Sequence, residues 1–292
     1  MKIEEVIHET ILALYREPNL STVLFLKGGS AMRFFDQHLS RLSVDIDFSI
    51  QEGIVNEKQV FGLIKKSLGK AFRAFRLDII DFTWRRRPKR KGGFRPDWWG
   101  GWACEFKLIS SKYRGKTLEV KRRNALVPAG SNSSKILLDI SEHEYCGQKR
   151  QKKIGDVIVL GYSRELIVLE KIRAICQQSP NYKYTLNKSR ARDFYDLYQL
   201  TRDIGPRFIG RCRKHLKKVF EAKEVPLPIL RTLWNKAFVD EQERGFDQVR
   251  DSVEGPIRDF AVYVENLRFL IREICPEHGE IPESGDLQSA PD

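Results

Sequence analysis

Two aspartates one residue apart carry the clearest chemical signal in the chain. In the run Val44, Asp45, Ile46, Asp47, Phe48, apolar and acidic residues alternate without a break. Strand side chains point to opposite faces in turn, so Asp45 and Asp47 share one face and Val44, Ile46 and Phe48 the other. Neighbouring carboxylates repel each other unless a cation lies between them, and a hard divalent ion with oxygen ligands meets that need. The plainer alternative is that both acids line the wet face of an edge strand. A second alternating run, Ile136 to His143, adds weight to the first reading. Ile136, Leu138 and Ile140 face one way there and Asp139 the other. If the two strands are neighbours, Asp45, Asp47 and Asp139 converge on one surface. Three carboxylates can hold two Mg²⁺ ions, which activate a hydroxyl and neutralise a triphosphate during in-line displacement.

Just upstream, Gly28, Gly29 and Ser30 follow the short apolar run Val23 to Leu26 and open a helix-like segment. Glycines allow a phosphate close to the backbone. The unpaired N–H groups of a helix N-terminus, with the Ser30 hydroxyl, would bind it. By themselves most such turns merely turn.

The elements that must position these residues can be read from periodicity. Lys2 to Arg16 is an amphipathic helix ended by Pro18 and Asn19, and Glu57 to Phe75 is a second helix. Strands are expected at Arg76 to Trp84, at Cys104 to Tyr113, less clearly at Thr117 to Lys121, and at Val157 to Leu160. The Arg85 to Arg95 segment, rich in Arg, Lys, Gly and Pro, reads as a loop, and Lys149 to Lys153 as a basic turn. From Ser163 the pattern is helical: to about Gln178, Asn187 to Arg202, Arg207 to Glu224, Leu227 to Asp240 and Gly255 to Ile274. The fold class is therefore α+β, a mixed-sheet domain over 1–160 followed by an all-helical domain over 161–275. Residues 276–292 hold acids and prolines but no Lys or Arg, and are expected to be a disordered acidic tail.

With 52 basic and 39 acidic residues the net charge is +13, which favours a polyanionic partner such as nucleic acid. Guanidiniums of the Arg85 to Arg95 loop are interleaved with Trp84, Phe94, Trp98, Trp99 and Trp102, which suits phosphate contacts and stacking on unpaired bases. The 149–153 turn and the Arg211 to Lys218 run could extend the same surface, although a charge run is usually a solvated face and the tryptophans could be core. No apolar run approaches a membrane span, and the acids of the N-terminal helix argue against a secretory signal. Cys104, Cys146, Cys176, Cys212 and Cys275 are scattered and form no CxxC pair, the pattern of reduced cytoplasmic thiols with neither disulfides nor a zinc site. His143 with Cys146 is a chance spacing.

LKGGSAMRFF followed by RLSVDIDF resembles the opening motif of the nucleotidyltransferase superfamily, which has a DNA polymerase beta-like fold. More narrowly it is similar to the AbiEii/AbiGii-type toxins of abortive-infection and toxin–antitoxin systems. SRELIVLEKIRAI and RARDFYDLYQL resemble two later helices of that family. The likeness covers roughly residues 20 to 200, and it departs from the family in the long stretch Ala31 to Val44 between Ser30 and Asp45. The resemblance implies a Mg²⁺-dependent enzyme, with two ions, that transfers NMP from an NTP to a hydroxyl. The implied acceptor is RNA, notably a tRNA 3′ end, or another polyanion, and a cognate antitoxin would be a partner. It implies that Asp45, Asp47 and Asp139 bind metal, that Asp139 helps deprotonate the acceptor, and that Gly29 and Ser30 meet phosphate. It further implies that Lys171 reaches the nucleotide phosphates, with Arg192, Asp193 and Asp196 turned towards the nucleotide. From the residues alone, Lys171 could equally be a boundary lysine with a buried stem, and Arg192 and Asp196 a surface helical ion pair. Two other functions share these features: an RNA-binding module with a vestigial site, and a small-molecule nucleotidyltransferase of the antibiotic-modifying kind.

Overall fold

The computed structural model describes residues 1–36, 45–87, 96, 99–147, 149–251, 253 and 257–279. Val44, the 88–95 part of the basic segment, Trp98 and residues 280–292 of the expected tail lie outside the described residues, whereas the start of that tail, Pro276–His278, is an ordered 3-10 turn. The chain divides into two compact units, Met1–Ser163 and Arg164–Asp292.

The first unit is a seven-stranded mixed sheet with helices. In chain order it comprises α1 (Ile3–Tyr15), α2 (Pro18–Ser21), β1 (Phe25–Lys27), α3 (Gly28–Asp36), β2 (Ile46–Ser49), α4 (Glu57–Arg73), β3 (Leu77–Arg87), β4 (Gly101–Ser110), α5 (Leu118–Arg123), β5 (Ile136–Ser141), β6 (Lys149–Ile154) and β7 (Val157–Tyr162). The strands lie in the order β3-β4-β5-β2-β1-β7-β6. β2 runs parallel to β5 and β1 parallel to β7, while the remaining neighbours are antiparallel. Alternation works as expected at the centre: Ile46, Phe48, Leu138 and Ile140 are buried while Asp47 and Asp139 are half-buried. Burying apolar side chains on one face is what fixes this register, since a slip of one residue would turn every acid inward.

Three expectations for this unit are corrected. Thr117 to Lys121 is not a strand: Thr117 caps α5 by accepting the Val120 N–H at 3.4 Å, and the helix carries Glu119 in its first turn and three basic residues in its last. Arg85 to Arg87 are strand, paired with Ala103, Trp102 and Gly101 of β4. Lys149 to Lys153 is strand β6 rather than a turn, and alternation sorts its cations. Arg150 turns back to clamp Asp36 at the end of α3 through two contacts of 2.6 Å, and Lys152 donates to the Phe34 carbonyl at 2.8 Å, while Lys149 and Lys153 are exposed. Cations at a helix C-terminus meet its orphan carbonyls and its dipole.

The second unit holds α6 (Arg164–Cys176), α7 (Ala191–Thr201), α8 (Pro206–Glu221), α9 (Lys236–Glu243), α10 (Asp247–Arg250) and α11 (Phe260–Ile274). The expected helix Leu227 to Asp240 is split. Leu227–Trp234 is a 3-10 turn, and Asn235, in extended conformation, starts α9 by accepting the Phe238 N–H at 3.0 Å. Phe194, Phe246, Phe260 and Tyr263 form an aromatic cluster between α7, α11 and the segment entering α10.

Candidate active site

A single row of residues crosses five strands of the sheet. Arg85 lies opposite Ala103, Ala103 opposite Asp139, Asp139 opposite Asp47, and Asp47 opposite Lys27. Directly opposed residues share a face, so two acids stand in the middle of the row with a cation at either end. Asp45 immediately precedes β2, close enough to act electrostatically on Asp139. The three aspartates named from the sequence are thus brought together.

Each is held by its neighbours. The Ser30 hydroxyl, buried in α3, donates to the Asp45 carbonyl and so ties the helix to the start of β2. Gly28 has a φ of +59°, and a Cβ there would fall 2.5 Å from Asp47 Oδ2. Glycine is therefore required twice over, for the left-handed backbone and for the space that the carboxylate fills. The same residue begins α3, so the positive end of that helix lies beside Asp47. Arg87 reaches Asp139 with Nη1 3.3 Å from Oδ1 and 3.4 Å from Oδ2. Burial pushes the Asp139 carboxyl above the usual aspartate range; Arg87 pulls it back and Asp45 pushes it further up. Lys27 is 3.6 Å from Glu144.

The sequence reading did not find Lys27, Arg85 and Arg87 as members of this site, nor the role of Gly28. Their signal is cross-strand register, which no local pattern carries. Two of the tryptophans pack: Trp102 is buried against Phe61 and donates to Glu142 at 3.1 Å, and Trp84 stacks on Phe61 at 5.2 Å while staying partly exposed. Arg86 lies over Trp102 and pairs with the buried Glu142 at 3.2 Å. A cleft of about 1260 Å³ borders α1 and α3, lined by Glu4, His8, Arg33 and Phe34 among others, but it includes none of the three aspartates.

The helical unit brings Lys171, Asp193 and Asp196 together. The Lys171 ammonium on α6 donates to Asp193 at 2.7 Å and to Asp196 at 2.8 Å on α7, all three side chains being largely buried. Burial disfavours the ammonium, but the two carboxylates outweigh it and hold its pKa above the ordinary lysine value. The Lys171 ammonium, and not only its stem, is thus buried and held by these two carboxylates. Asp196 pairs with Lys171, where the residues alone leave open a surface pair with Arg192, which is exposed.

Among the described residues, the His/Cys/Asp/Glu group of three whose ligating atoms all lie within 4.8 Å of one another is a different one, Cys275, Glu277 and His278. The aspartates are spread wider, as befits like charges balanced by Arg87, Lys27 and Arg85.

No curated protein matches the chain. Among solved structures, a Helicobacter pylori protein described provisionally as a nucleotidyltransferase is 16% identical, with 94% of each chain covered and a TM-score of 0.49. Helicobacter pylori JHP933 is 17% identical, covering 94% of this chain and 91% of that one, with a TM-score of 0.43. An antigenic nucleotidyltransferase-like protein from Paracoccidioides brasiliensis is 15% identical over 76% of this chain and 91% of that one, with a TM-score of 0.36. At these scores the likenesses support nothing further. The family described as nucleotidyl transferase AbiEii toxin, type IV toxin–antitoxin system, matches residues 12–266. The chain belongs to the AbiEii nucleotidyltransferase toxin family.

Proposed function

We propose that this enzyme uses Mg²⁺ to transfer a nucleoside monophosphate from an NTP to a hydroxyl of RNA, a tRNA 3′ end in the first instance, releasing pyrophosphate. The observation that carries the reading is Asp47 directly opposite Asp139 on parallel strands, with Gly28 wedged against the Asp47 carboxylate. The donor set suits the ion: three carboxylates, all hard oxygen ligands, on one face of a sheet. Asp45, Asp47 and Asp139 would hold it. Bound there, Mg²⁺ would supply charge neutralisation on the triphosphate and acidify the acceptor hydroxyl.

The chain's own residues do the rest. Asp139, directly opposite Asp47 on the neighbouring strand, would take the proton of the acceptor hydroxyl. The freed oxygen bonds to the α-phosphorus as the bond to the bridging oxygen breaks, and pyrophosphate leaves. The N–H groups of Gly29 and Ser30, in the first turn of α3, receive phosphate oxygens. The Ser30 hydroxyl proton is committed to Asp45, so this serine contributes through its backbone and by positioning Asp45. In the helical unit Lys171 orients Asp193 and Asp196, and exposed Arg192 is left for polyanion contact.

RNA as acceptor is supported by the charge of +13 and by exposed cations such as Arg85, Lys149 and Lys153. No helix among the described residues is long and apolar enough to cross a membrane. The test is incubation with Mg²⁺, each labelled NTP and total RNA. Label should move to RNA, and Asp45→Asn and Asp47→Asn should abolish the transfer. Transfer that survives either substitution refutes the mechanism. Label on a small alcohol instead of RNA overturns the acceptor assignment, and salt-dependent RNA binding without turnover reduces the chain to a binding module.

A further inference from the structure

We propose that Cys275, Glu277 and His278 form a zinc-binding site that fastens the end of the helical unit, separate from the three aspartates. The backbone builds it. Cys275 leaves α11 with φ −150° and ψ 69°, and Pro276 opens a one-turn 3-10 helix, Pro276–His278. The turn is closed at both ends: the Cys275 N–H still donates to the Ile271 carbonyl at 2.8 Å, and the His278 N–H donates to the Cys275 carbonyl at 3.0 Å. Residues i, i+2 and i+3 are thereby gathered on one turn. Their sulfur, carboxylate oxygen and ring nitrogen all lie within 4.8 Å of one another, with Cys275 Sγ 3.8 Å from Glu277 Oε1.

A second observation points to a ligand. Nδ1 of His278 is buried and finds no hydrogen-bond partner among the described residues, an arrangement that is costly for an imidazole nitrogen unless something accepts or supplies an electron pair there. Cys275 is 3% exposed, so the sulfur is shielded, whereas Glu277 is exposed and can swing onto an ion. A thiolate, an imidazole and a carboxylate match the borderline preferences of Zn²⁺ and are poorly suited to Mg²⁺, which takes oxygen donors. Three protein ligands leave a fourth position for water. The turn packs against α11 and the Leu227–Trp234 turn, so an ion bound there would fix the turn that closes the last helix.

The test uses the full chain, purified without chelator, with metal content measured by mass spectrometry and Zn²⁺ replaced by Co²⁺ for spectroscopy. About one zinc per chain is expected. The Co²⁺ form should show a thiolate charge-transfer band that disappears in Cys275→Ser. His278→Gln should weaken zinc binding by at least about tenfold and Glu277→Gln by less, and both lie on the surface turn, so they remain informative if Cys275→Ser fails to fold. Asp45→Asn should keep its zinc, which separates this site from the catalytic one. Zinc well below one per chain, zinc retained in His278→Gln, or a Co²⁺ spectrum with no thiolate band overturns the proposal.

Discussion

Replacing Gly28 with alanine tests the geometry of the candidate active site more sharply than removing an acid does. Two costs are built into the position. The φ of +59° is left-handed, and an L-residue there costs about 1–2 kcal/mol. The added Cβ would also lie 2.5 Å from Asp47 Oδ2 and 3.2 Å from its Cγ, closer than real contacts allow. Asp47 sits on a strand paired on both sides, to Lys27 of β1 and to Asp139 of β5, so its backbone is held and its carboxylate must swing aside. Gly28→Ala should therefore lose about 1.5–2.5 kcal/mol or more in a urea titration, the backbone and contact costs together, or roughly 3–10 °C in Tm. Transfer of labelled NMP should fall on the order of a hundredfold, the usual result of misplacing a site group by an ångström. The two costs separate in a double-variant cycle. In an Asp47→Ala background the contact is gone and the backbone cost remains, so Gly28→Ala should hurt less there by at least about 0.5 kcal/mol. Wild-type stability with full activity, or an identical cost in both backgrounds, would refute this account of Gly28.

Asp139→Asn should end catalysis yet raise stability at neutral pH. Folded Asp139 binds its proton more tightly than the unfolded chain does, so stability falls as pH rises from the ordinary aspartate range through the raised value and stays lower above it. The advantage of the asparagine variant in urea should accordingly shrink as pH falls through the raised value towards about 4, and be gone below it. Arg87→Gln removes the guanidinium that pulls the Asp139 pKa down, and the acid limb of the pH–rate profile should move to higher pH. Lys171→Ala strands Asp193 and Asp196 in a largely buried site, and a loss of about 3–5 kcal/mol in the urea stability of the helical unit is expected, with helical content by circular dichroism as the second reading.

What the sequence could disclose was set by how local each signal is. The alternation in DIDF and in ILLDIS told which way the acids face, because that depends on neighbours in the chain. It could not tell that β2 and β5 lie side by side in parallel, since that register is set between distant segments. The five residues from Lys149 to Lys153 read as a turn because composition masked a strand whose inward members, Arg150 and Lys152, are needed at the end of α3. Thr117 was a legible cap taken for a strand start. The two partners of Lys171 come from another helix, and nothing near Lys171 announces them. Cys275 and His278 had the same three-residue spacing as His143 and Cys146, and what distinguishes them is the proline-initiated turn that folds their donors together.

The parallel pairing of β2 with β5 also has a consequence for synthesis. Between them the ribosome must deliver α4, β3, β4 and α5. Until β5 emerges, Asp45 and Asp47 have no third acid, and one side of β2 is an unpaired edge. Closing that gap is a contact between distant segments, the kind that forms slowly and late. On the proposed mechanism, the chemistry would begin only with the closure of this single strand pair.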